Sequence, residues 1–235
     1  VFICGKDASL ALDMMNTAKD SMVPPFEISV FPDPAGSFTT AAAMVACTEK
    51  TLKHKFNTNL KDKNIIIYGG KGIVGGISAI MCAKEGSKCT IVGYDGITNV
   101  KKKAEEYKSR FGVDIIPADG TTDELNSSYL PQADVIFCAA RAGTQVISEE
   151  QLKLAKNTKV LADVNAVPPA GLGGVNLKDD DAEHPCGGLS IGPLTSGDIK
   201  VKTQYRMFEK MCAADNPLYL NFEEALTTAR EILKL

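Results

Sequence analysis

The sequence has little of what metal sites and disulfide frameworks require. It contains two histidines, His54 and His184, and seven cysteines, none of which forms a C-x-x-C pair. Because clustered His and Cys ligands at fixed spacing indicate structural metal sites, we expect no metal. Most of the cysteines lie in apolar segments, which predicts reduced thiols and a cytoplasmic location. Both histidines have charged neighbours and are predicted to lie on the surface.

The sequence also lacks a dominant charge and a long apolar run. The net charge is −3, and its 26 basic and 29 acidic residues are interspersed. No basic surface for nucleic acid is indicated. No apolar stretch reaches the roughly 20 residues that span a bilayer. We therefore expect neither nucleic acid nor a membrane as a partner.

What the sequence does contain is an alternation of short apolar strands and helices. The predicted strands cover 2–4, 26–31, 64–69, 88–94, 114–118, 134–140 and 159–164, with a helix after each of the first six. This rhythm is typical of parallel β-α-β units in an α/β fold. The Gly- and Pro-rich segment 165–198 is expected to be a long irregular, functional stretch. Two final helices are predicted at about 199–213 and 221–234.

A glycine-rich corner follows the third predicted strand. Residues 70–75, Gly-Lys-Gly-Ile-Val-Gly, fit G-x-G-x-x-G between a strand and a helix. Gly70 is expected to allow the tight turn, Gly72 to admit a pyrophosphate, and Gly75 to let helix and strand pack. The motif predicts a Rossmann-type doubly wound parallel sheet; a packing corner without a ligand is the alternative. The predicted pyrophosphate-binding residues are Gly69, Gly70, Lys71, Gly72, Ile73 and Val74.

The choice between NAD and NADP depends on the end of the next strand. NAD sites place a carboxylate about 20 residues after the glycines, at a strand tip. Here the tip is Gly93, followed by Tyr94 and Asp95. Asp95 would repel a 2′-phosphate if it points inward, whereas Lys71 and the lysines at 101–103 would attract one. The lysine run is also typical of a solvated helix face, so the residues leave the choice open.

Several segments together suggest a family. The run VLADVNAVPPAGLGGVN at 160–176 closely resembles a segment of the NAD(P)-dependent methylene-tetrahydromethanopterin dehydrogenases. The segments GSFTTAAAMVA at 36–46 and GPLTSGDIKVK at 192–202, with the glycine corner, match in order and at compatible spacing. The resemblance covers essentially all 235 residues. The family has about fifty further residues before the start of this chain, so we expect an N-terminal segment to be missing.

The resemblance implies hydride transfer in one-carbon metabolism. The hydride passes from the C1 bridge of methylene-tetrahydromethanopterin, or of methylene-tetrahydrofolate, to NAD(P). The methenyl product is stabilised by its two flanking nitrogens, so no proton need be abstracted and little histidine is needed. Family members restricted to NADP tend to have Arg where this chain has Tyr94, and this departure argues against strict specificity for NADP. We expect NADP as the cofactor, with NAD as the alternative.

The resemblance also implies residues beyond the glycine corner. Ala139, Ala140, Arg141 and Gly143 are expected near the nicotinamide ribose, although Arg141 is equally typical of an exposed loop. Asp163, Asn165, Ala166 and Pro168 follow a late strand, where ligands bind in such sheets. Asn165 is expected to hydrogen-bond the cofactor carboxamide or the pterin.

On the substrate side, Lys200 matches a family lysine near the pterin and is our predicted catalytic residue. The alternative is that Lys200 and Lys202 flank a helix start and face water. Ser37, Thr39 and Thr40 are predicted to contact substrate or to cap a helix. The predicted substrate residues are Ser37, Thr39, Thr40, Asn165, Pro168 and Lys200.

The predicted organisation has three parts. Residues 1–57 belong to a smaller α/β N-terminal substrate domain, 58–198 form the nucleotide-binding domain, and 199–235 are helices that pack back on the N-terminal domain. A homo-oligomer, dimer or trimer, is expected. The alternatives are another two-domain dehydrogenase of the shikimate type, or a dinucleotide-binding module without catalysis.

Overall fold

A seven-stranded sheet forms the centre of the molecule, in a computed structural model that describes residues Val1–Leu235. The chain has nine strands, of which the first two lie outside this sheet. They are Phe2–Ile3 (β1), Phe31–Pro32 (β2), Asn64–Tyr68 (β3), Lys88–Gly93 (β4), Ile116–Asp119 (β5), Val135–Cys138 (β6), Val160–Asp163 (β7), Asp180–Glu183 (β8) and Leu189–Ile191 (β9). The helices are Ala8–Ser21 (α1), Ser37–Phe56 (α2), Ile73–Lys84 (α3), Ile97–Phe111 (α4), Asp123–Ser128 (α5), Glu149–Leu152 (α6), Pro193–Ala213 (α7) and Phe222–Leu233 (α8).

The strand order is β5-β4-β3-β6-β7-β9-β8, and all neighbours are parallel except the antiparallel pair β8 and β9. From β3 the chain runs outward through β4 and β5, then returns to β6 on the other side of β3. This order is that of a doubly wound sheet, whose ligand crevice lies at the carboxyl ends of the strands on either side of the reversal. The predicted α/β fold class is confirmed.

The central strands are apolar because both faces of the sheet are covered. Ile65, Ile66, Ile67 and Tyr68 are all buried, and they divide between two clusters, one on each face. On the larger side α2 packs against α3, α7 and α8. None of the helices combines the length and apolar character that crossing a bilayer requires.

The N-terminal elements form a small separate sheet. β1 and β2 pair in parallel, and the rings of Phe2 and Phe31 meet Phe208 of α7 at centroid distances of 5.1 and 5.4 Å. Phe208 of α7 therefore contacts both strands of this small sheet. The strand predicted at 26–31 was too long, because only Phe31 and Pro32 pair with β1. Val30 makes a single bridge to Tyr219 instead.

The segment 165–198 is more regular than predicted. It contains the β8–β9 hairpin, and the small strand β9 fits beside β7 because Ile191 is buried against the core. Helix α7 begins at Pro193 rather than at about 199, with Gly192 as its N-cap. Proline suits the first helical turn, where its missing N–H has no partner to lose. The proposed domain boundary at 198 therefore falls inside a helix.

Candidate functional site

The glycine corner turns between β3 and α3 through Gly69 rather than Gly70. Gly69 has φ 77°, and a Cβ there would lie 2.5 Å from the Ala139 carbonyl oxygen. Gly70 has no positive φ; a Cβ there would lie 2.5 Å from Ile91 of β4. The role predicted for Gly70 in the turn thus belongs to Gly69, whereas Gly70 is required for packing between neighbouring strands.

Gly72 and Gly75 have different surroundings at the start of α3. Gly72 is the N-cap of α3, and a Cβ there would have no neighbour closer than 3.2 Å, which leaves its outer face open. A Cβ on Gly75 would lie 2.6 Å from the Gly69 carbonyl, so the helix sits directly on the turn. The amides of Ile73, Val74 and Gly75 have no acceptor within the helix. This cradle suits the oxygens of a pyrophosphate.

A cavity of about 560 Å³ opens beside the glycine corner, at the carboxyl ends of β3, β4, β5 and β6. Its volume is in the range of small-molecule and cofactor sites. The lining residues are Tyr68, Gly69, Gly72, Val92, Tyr94, Gly120, Thr121, Thr122, Asp123, Asn126, Ala139, Ala140, Arg141, Thr144, Gln145 and Val146. The structure thus brings Gly69, Gly72, Tyr94, Ala139, Ala140 and Arg141 of the predicted cofactor residues to one cavity.

Lys71 and Asp95 form an ion pair beside this cavity. The Asp95 carboxylate also accepts from Asn99, and the Lys71 ammonium lies 5.5 Å from the centre of the Tyr94 ring. The hydrogen bond from Lys71 lowers the pKa of Asp95. Of the lysines at 101–103, Lys103 pairs with Glu106 at 2.8 Å. Lys71 and Arg141 are therefore the basic side chains at the site, and Asp95 neutralises Lys71.

Asp163 and Asn165 hold the loop after β7. The buried Asp163 carboxylate accepts from the amides of Asn165 at 2.8 Å and Leu172 at 2.9 Å. The Asn165 side chain accepts from the amides of Gly143 and Val167 and donates to the Pro169 carbonyl at 2.9 Å. Burial raises the pKa of Asp163, although the hydrogen bonds from the Asn165 and Leu172 amides act to lower it. Both side chains thus position backbone, and Asn165 ties the loop after β6 to the loop after β7.

The hydroxyls at the start of α2 do not cap the helix as predicted. The N-cap is Gly36, and the buried Asp33 carboxylate accepts from the amides of Phe38 at 2.8 Å and Thr39 at 3.3 Å. The Thr39 hydroxyl donates to Asp33, and that of Thr40 donates to the Gly36 carbonyl.

Ser37 differs from the two threonines. Its hydroxyl has no partner within the chain, and every fully buried polar side-chain atom has one. Its oxygen therefore reaches solvent and is free to meet a ligand.

Lys200 is half-buried and lies within α7, not at its start. Its ammonium donates to the Gln204 amide oxygen at 3.1 Å, and the Gln204 nitrogen donates to Asp33 at 2.9 Å. A Cβ on Gly36 would lie 3.2 Å from the Lys200 nitrogen. Lys202 is exposed and pairs with Asp198 at 2.6 Å. No hydrogen bond or ion pair joins Lys200 to the glycine corner; Lys200, Gln204, Asp33 and the start of α2 form a second cluster.

His184 was predicted to be exposed, and this was wrong. It is 4% exposed, and its ring nitrogens contact the Gly173 carbonyl at 2.8 Å and the Cys186 sulfur at 3.1 Å. The hairpin turn after β8 folds the ring inward. Asp180 and Asp181, just before it in the chain, belong to β8, where both pair with Lys50.

The sequence analysis did not find the residues that complete the cavity beside the glycine corner and the cluster around Lys200. Thr122 caps α5 by accepting from the Leu125 amide, and Asn126 donates to the Gly120 carbonyl. The signal was Gly120 followed by Thr-Thr-Asp at the end of a predicted strand, the place where ligands bind in such sheets. Asp33 and Gln204 are 171 positions apart, and no local pattern joins them.

Comparison with known proteins identifies the family. The family model described as the N-terminal part of methylene-tetrahydromethanopterin dehydrogenase matches residues 1–35. The NAD(P)-dependent methylenetetrahydromethanopterin dehydrogenase of Methylorubrum extorquens is 47% identical over 233 residues, which are 99% of this chain and 78% of that protein. The chain belongs to this dehydrogenase family. The bifunctional protein MdtA of the same organism is a more distant relative, 27% identical over 232 residues, with the same shares covered.

Solved structures share the fold of this family member. Quinate dehydrogenase from Corynebacterium glutamicum superposes with a TM-score of 0.52 at 15% identity, covering 84% of this chain and 62% of that one. Shikimate 5-dehydrogenase from Listeria monocytogenes gives a TM-score of 0.51 at 18% identity, covering 87% and 63%. At these identities the likeness concerns the fold alone.

Proposed function

We propose that this protein is an NAD(P)-dependent oxidoreductase that takes a hydride from the C1 bridge of methylene-tetrahydromethanopterin, or of methylene-tetrahydrofolate, in one-carbon metabolism. The identity of 47% over nearly the whole chain to the Methylorubrum dehydrogenase carries this proposal. The cavity beside the glycine corner supports it independently, since it provides a nucleotide-sized space.

The residues present fit a dinucleotide. A Cβ would fill the turn at Gly69 and Gly75, whereas at Gly72 the backbone is left open to a ligand. The amides of Ile73 and Val74 at the start of α3 would hold the pyrophosphate. When bound, the nicotinamide ring accepts the hydride, which is the cofactor's own chemistry.

The chain's own task is then to place two rings face to face. Asp163 and Asn165 fix the loops after β6 and β7, so that Ala139, Ala140, Arg141 and Pro168 present a defined surface. The proposed pterin side is the cluster around Lys200, with Ser37 as the free hydroxyl. Lys200 orients the substrate there and abstracts no proton, since the methenyl product needs none removed. Rate enhancement comes from orientation.

Three further assignments belong to this proposal. Residues 1–57 with 199–235 serve the pterin, and 58–198 bind the nucleotide, except that α7, which begins at Pro193, belongs whole to the pterin side. A homo-oligomer is proposed because small α/β enzymes commonly pair through surface helices. A cytoplasmic location follows from the seven thiols, none of which is paired.

The test is a steady-state comparison of NAD and NADP with each methylene-pterin, followed as growth of reduced-nicotinamide absorbance. We expect turnover with at least one pair, and no turnover with either pterin would contradict the proposal. Lys200→Met should lower kcat/KM for the pterin by roughly 10²-fold and leave nucleotide affinity unchanged. Lys202→Met is the matched control, because this exposed neighbour pairs only with Asp198. Equal losses in both variants would remove Lys200 from the site.

A further inference from the structure

The β8–β9 turn contains a cysteine and a histidine that the proposed reaction does not use. His184 ends up buried just after β8, and Cys186 is half-buried two residues later. Its chain neighbours Pro185 and Gly187 are exposed, and a Cβ on Gly187 would meet nothing within 4 Å. Cys186 is therefore partly accessible from an open turn, while part of its side chain packs against the buried cluster on that face of the sheet.

The contacts of His184 fix the roles of its two nitrogens. The Gly173 carbonyl, 2.8 Å from Nε2, can only accept, so Nε2 carries a hydrogen. In the neutral ring Nδ1 is then an acceptor, and it lies 3.1 Å from the Cys186 sulfur and 3.2 Å from the Cys186 amide nitrogen. A Cβ on Gly174 would lie 2.6 Å from Nε2, so this glycine packs against the ring. A nucleophile, a base and a group that orients the base are thus in place.

The charges in the turn agree with this geometry. Burial is the largest influence and opposes the charged forms of both side chains, but the hydrogen bond between them, the backbone hydrogen bonds and their mutual charge together outweigh it. The pKa of His184 is raised, with help from the Gly173 carbonyl, and the pKa of Cys186 is lowered. Glu149 of α6 adds negative charge that favours the imidazolium. Thiolate formation at Cys186 is therefore supported from both sides.

The other cysteines lack such surroundings. Cys47 and Cys138 are buried, and burial raises the pKa of both thiols, that of Cys47 to about 12. Cys4 and Cys212 are exposed, but neither sulfur makes a hydrogen bond within the chain. These two exposed thiols serve as internal references for a reaction at Cys186.

We propose that Cys186 is a reactive thiol that undergoes exchange with small organic disulfides, with His184 as its base. His184 Nδ1 takes the thiol proton, and the sulfur attacks one sulfur of the disulfide. One S–S bond forms as another breaks, and the leaving thiolate takes up a proton from the imidazolium. The products are a mixed disulfide on Cys186 and one free small thiol, with no other oxidant required.

The test uses the full chain and two probes, oxidised glutathione and iodoacetamide, with site-resolved mass spectrometry. At about pH 7 we expect Cys186 to react with each probe at least about tenfold faster than Cys4 and Cys212, despite being less exposed. Addition of dithiothreitol should remove the glutathione adduct and restore the thiol. A rate at Cys186 equal to or below those of the two exposed thiols would overturn the proposal.

Two further measurements separate the role of His184 from simple exposure. His184→Gln should slow Cys186 to the reference rate, whereas His54→Gln, at an exposed histidine of α2, should change nothing. An unchanged rate in a folded His184→Gln variant would exclude His184 as the base. If that variant does not fold, the pH dependence of alkylation in the native chain tests the role of His184 instead. Between about pH 8 and about pH 6 alkylation of Cys186 should fall much less than that of an unstructured cysteine peptide, whose thiol has a pKa of about 8.5; parallel declines would contradict the pairing.

Discussion

At the residue scale, we propose that the Lys71–Asp95 pair beside the cavity sets the preference between NAD and NADP. Asp95 holds negative charge next to the only basic side chain at the glycine turn. We expect Asp95→Asn to release Lys71 for a 2′-phosphate and to raise the NADP/NAD ratio of kcat/KM by about tenfold. The comparison variant is Asp114→Asn, which breaks an exposed pair with Lys108. An unchanged ratio in Asp95→Asn would place the pair outside the ribose site.

Alanine substitutions at two glycines of the motif should have different effects, one on stability and the other on nucleotide binding. Gly75→Ala places a Cβ 2.6 Å from the Gly69 carbonyl, so we expect a loss of about 1–3 kcal/mol in unfolding free energy. In Gly72→Ala the new Cβ meets nothing closer than 3.2 Å, so the free energy of unfolding should stay within about 1 kcal/mol of the wild-type value. Its methyl group would occupy the position that we propose for the pyrophosphate, so the KM for the nucleotide should rise roughly tenfold. Urea unfolding and steady-state kinetics together check the contrast, which reversed outcomes would refute.

At the scale of elements, α8 is fastened to two other helices through Arg230. Its guanidinium binds the Glu49 carboxylate of α2 with two hydrogen bonds, at 2.6 and 2.8 Å, and also reaches Glu85 at 2.8 Å. Arg230→Ala leaves the mostly buried Glu49 without its partner, so we expect a loss of about 3 kcal/mol in urea unfolding. Arg206→Ala breaks an exposed pair with Glu209 and should cost under about 0.5 kcal/mol. Similar losses in the two variants would show that the Arg230 ion pairs stabilise the fold no more than an exposed pair does.

The helices and strands could be predicted wherever the pattern was local. Short apolar runs located β3, β4, β6 and β7 within a few residues, because a doubly covered strand is apolar along its whole length. β9 has only three residues and gains its stability from β7, so no local signal announced it. The inward position of His184 likewise depends on Gly173, 11 residues away. Contacts between distant segments, such as Asp33 with Gln204, were beyond sequence reasoning for the same reason.

At the scale of the whole molecule, one continuous core joins the two proposed domains. A cluster of 42 buried residues takes members from α2, from the sheet, and from α7 and α8. We expect a single unfolding transition in calorimetry. Saturating nucleotide, at about 100 times its Kd, should raise the unfolding free energy by about 2.7 kcal/mol for the whole transition. Two transitions, only one of them shifted by nucleotide, would instead indicate domains that unfold independently.

The two borders of the large sheet are unlike each other. At β8 the border has a register irregularity, and Asp180 and Asp181 carry negative charge along it. Charges and irregular pairing on an outer strand prevent the sheets of two molecules from joining into one. At the opposite border β5 presents the exposed Ile116. Pro117 of β5 offers no N–H to a further strand, so the two borders resist strand addition by different means.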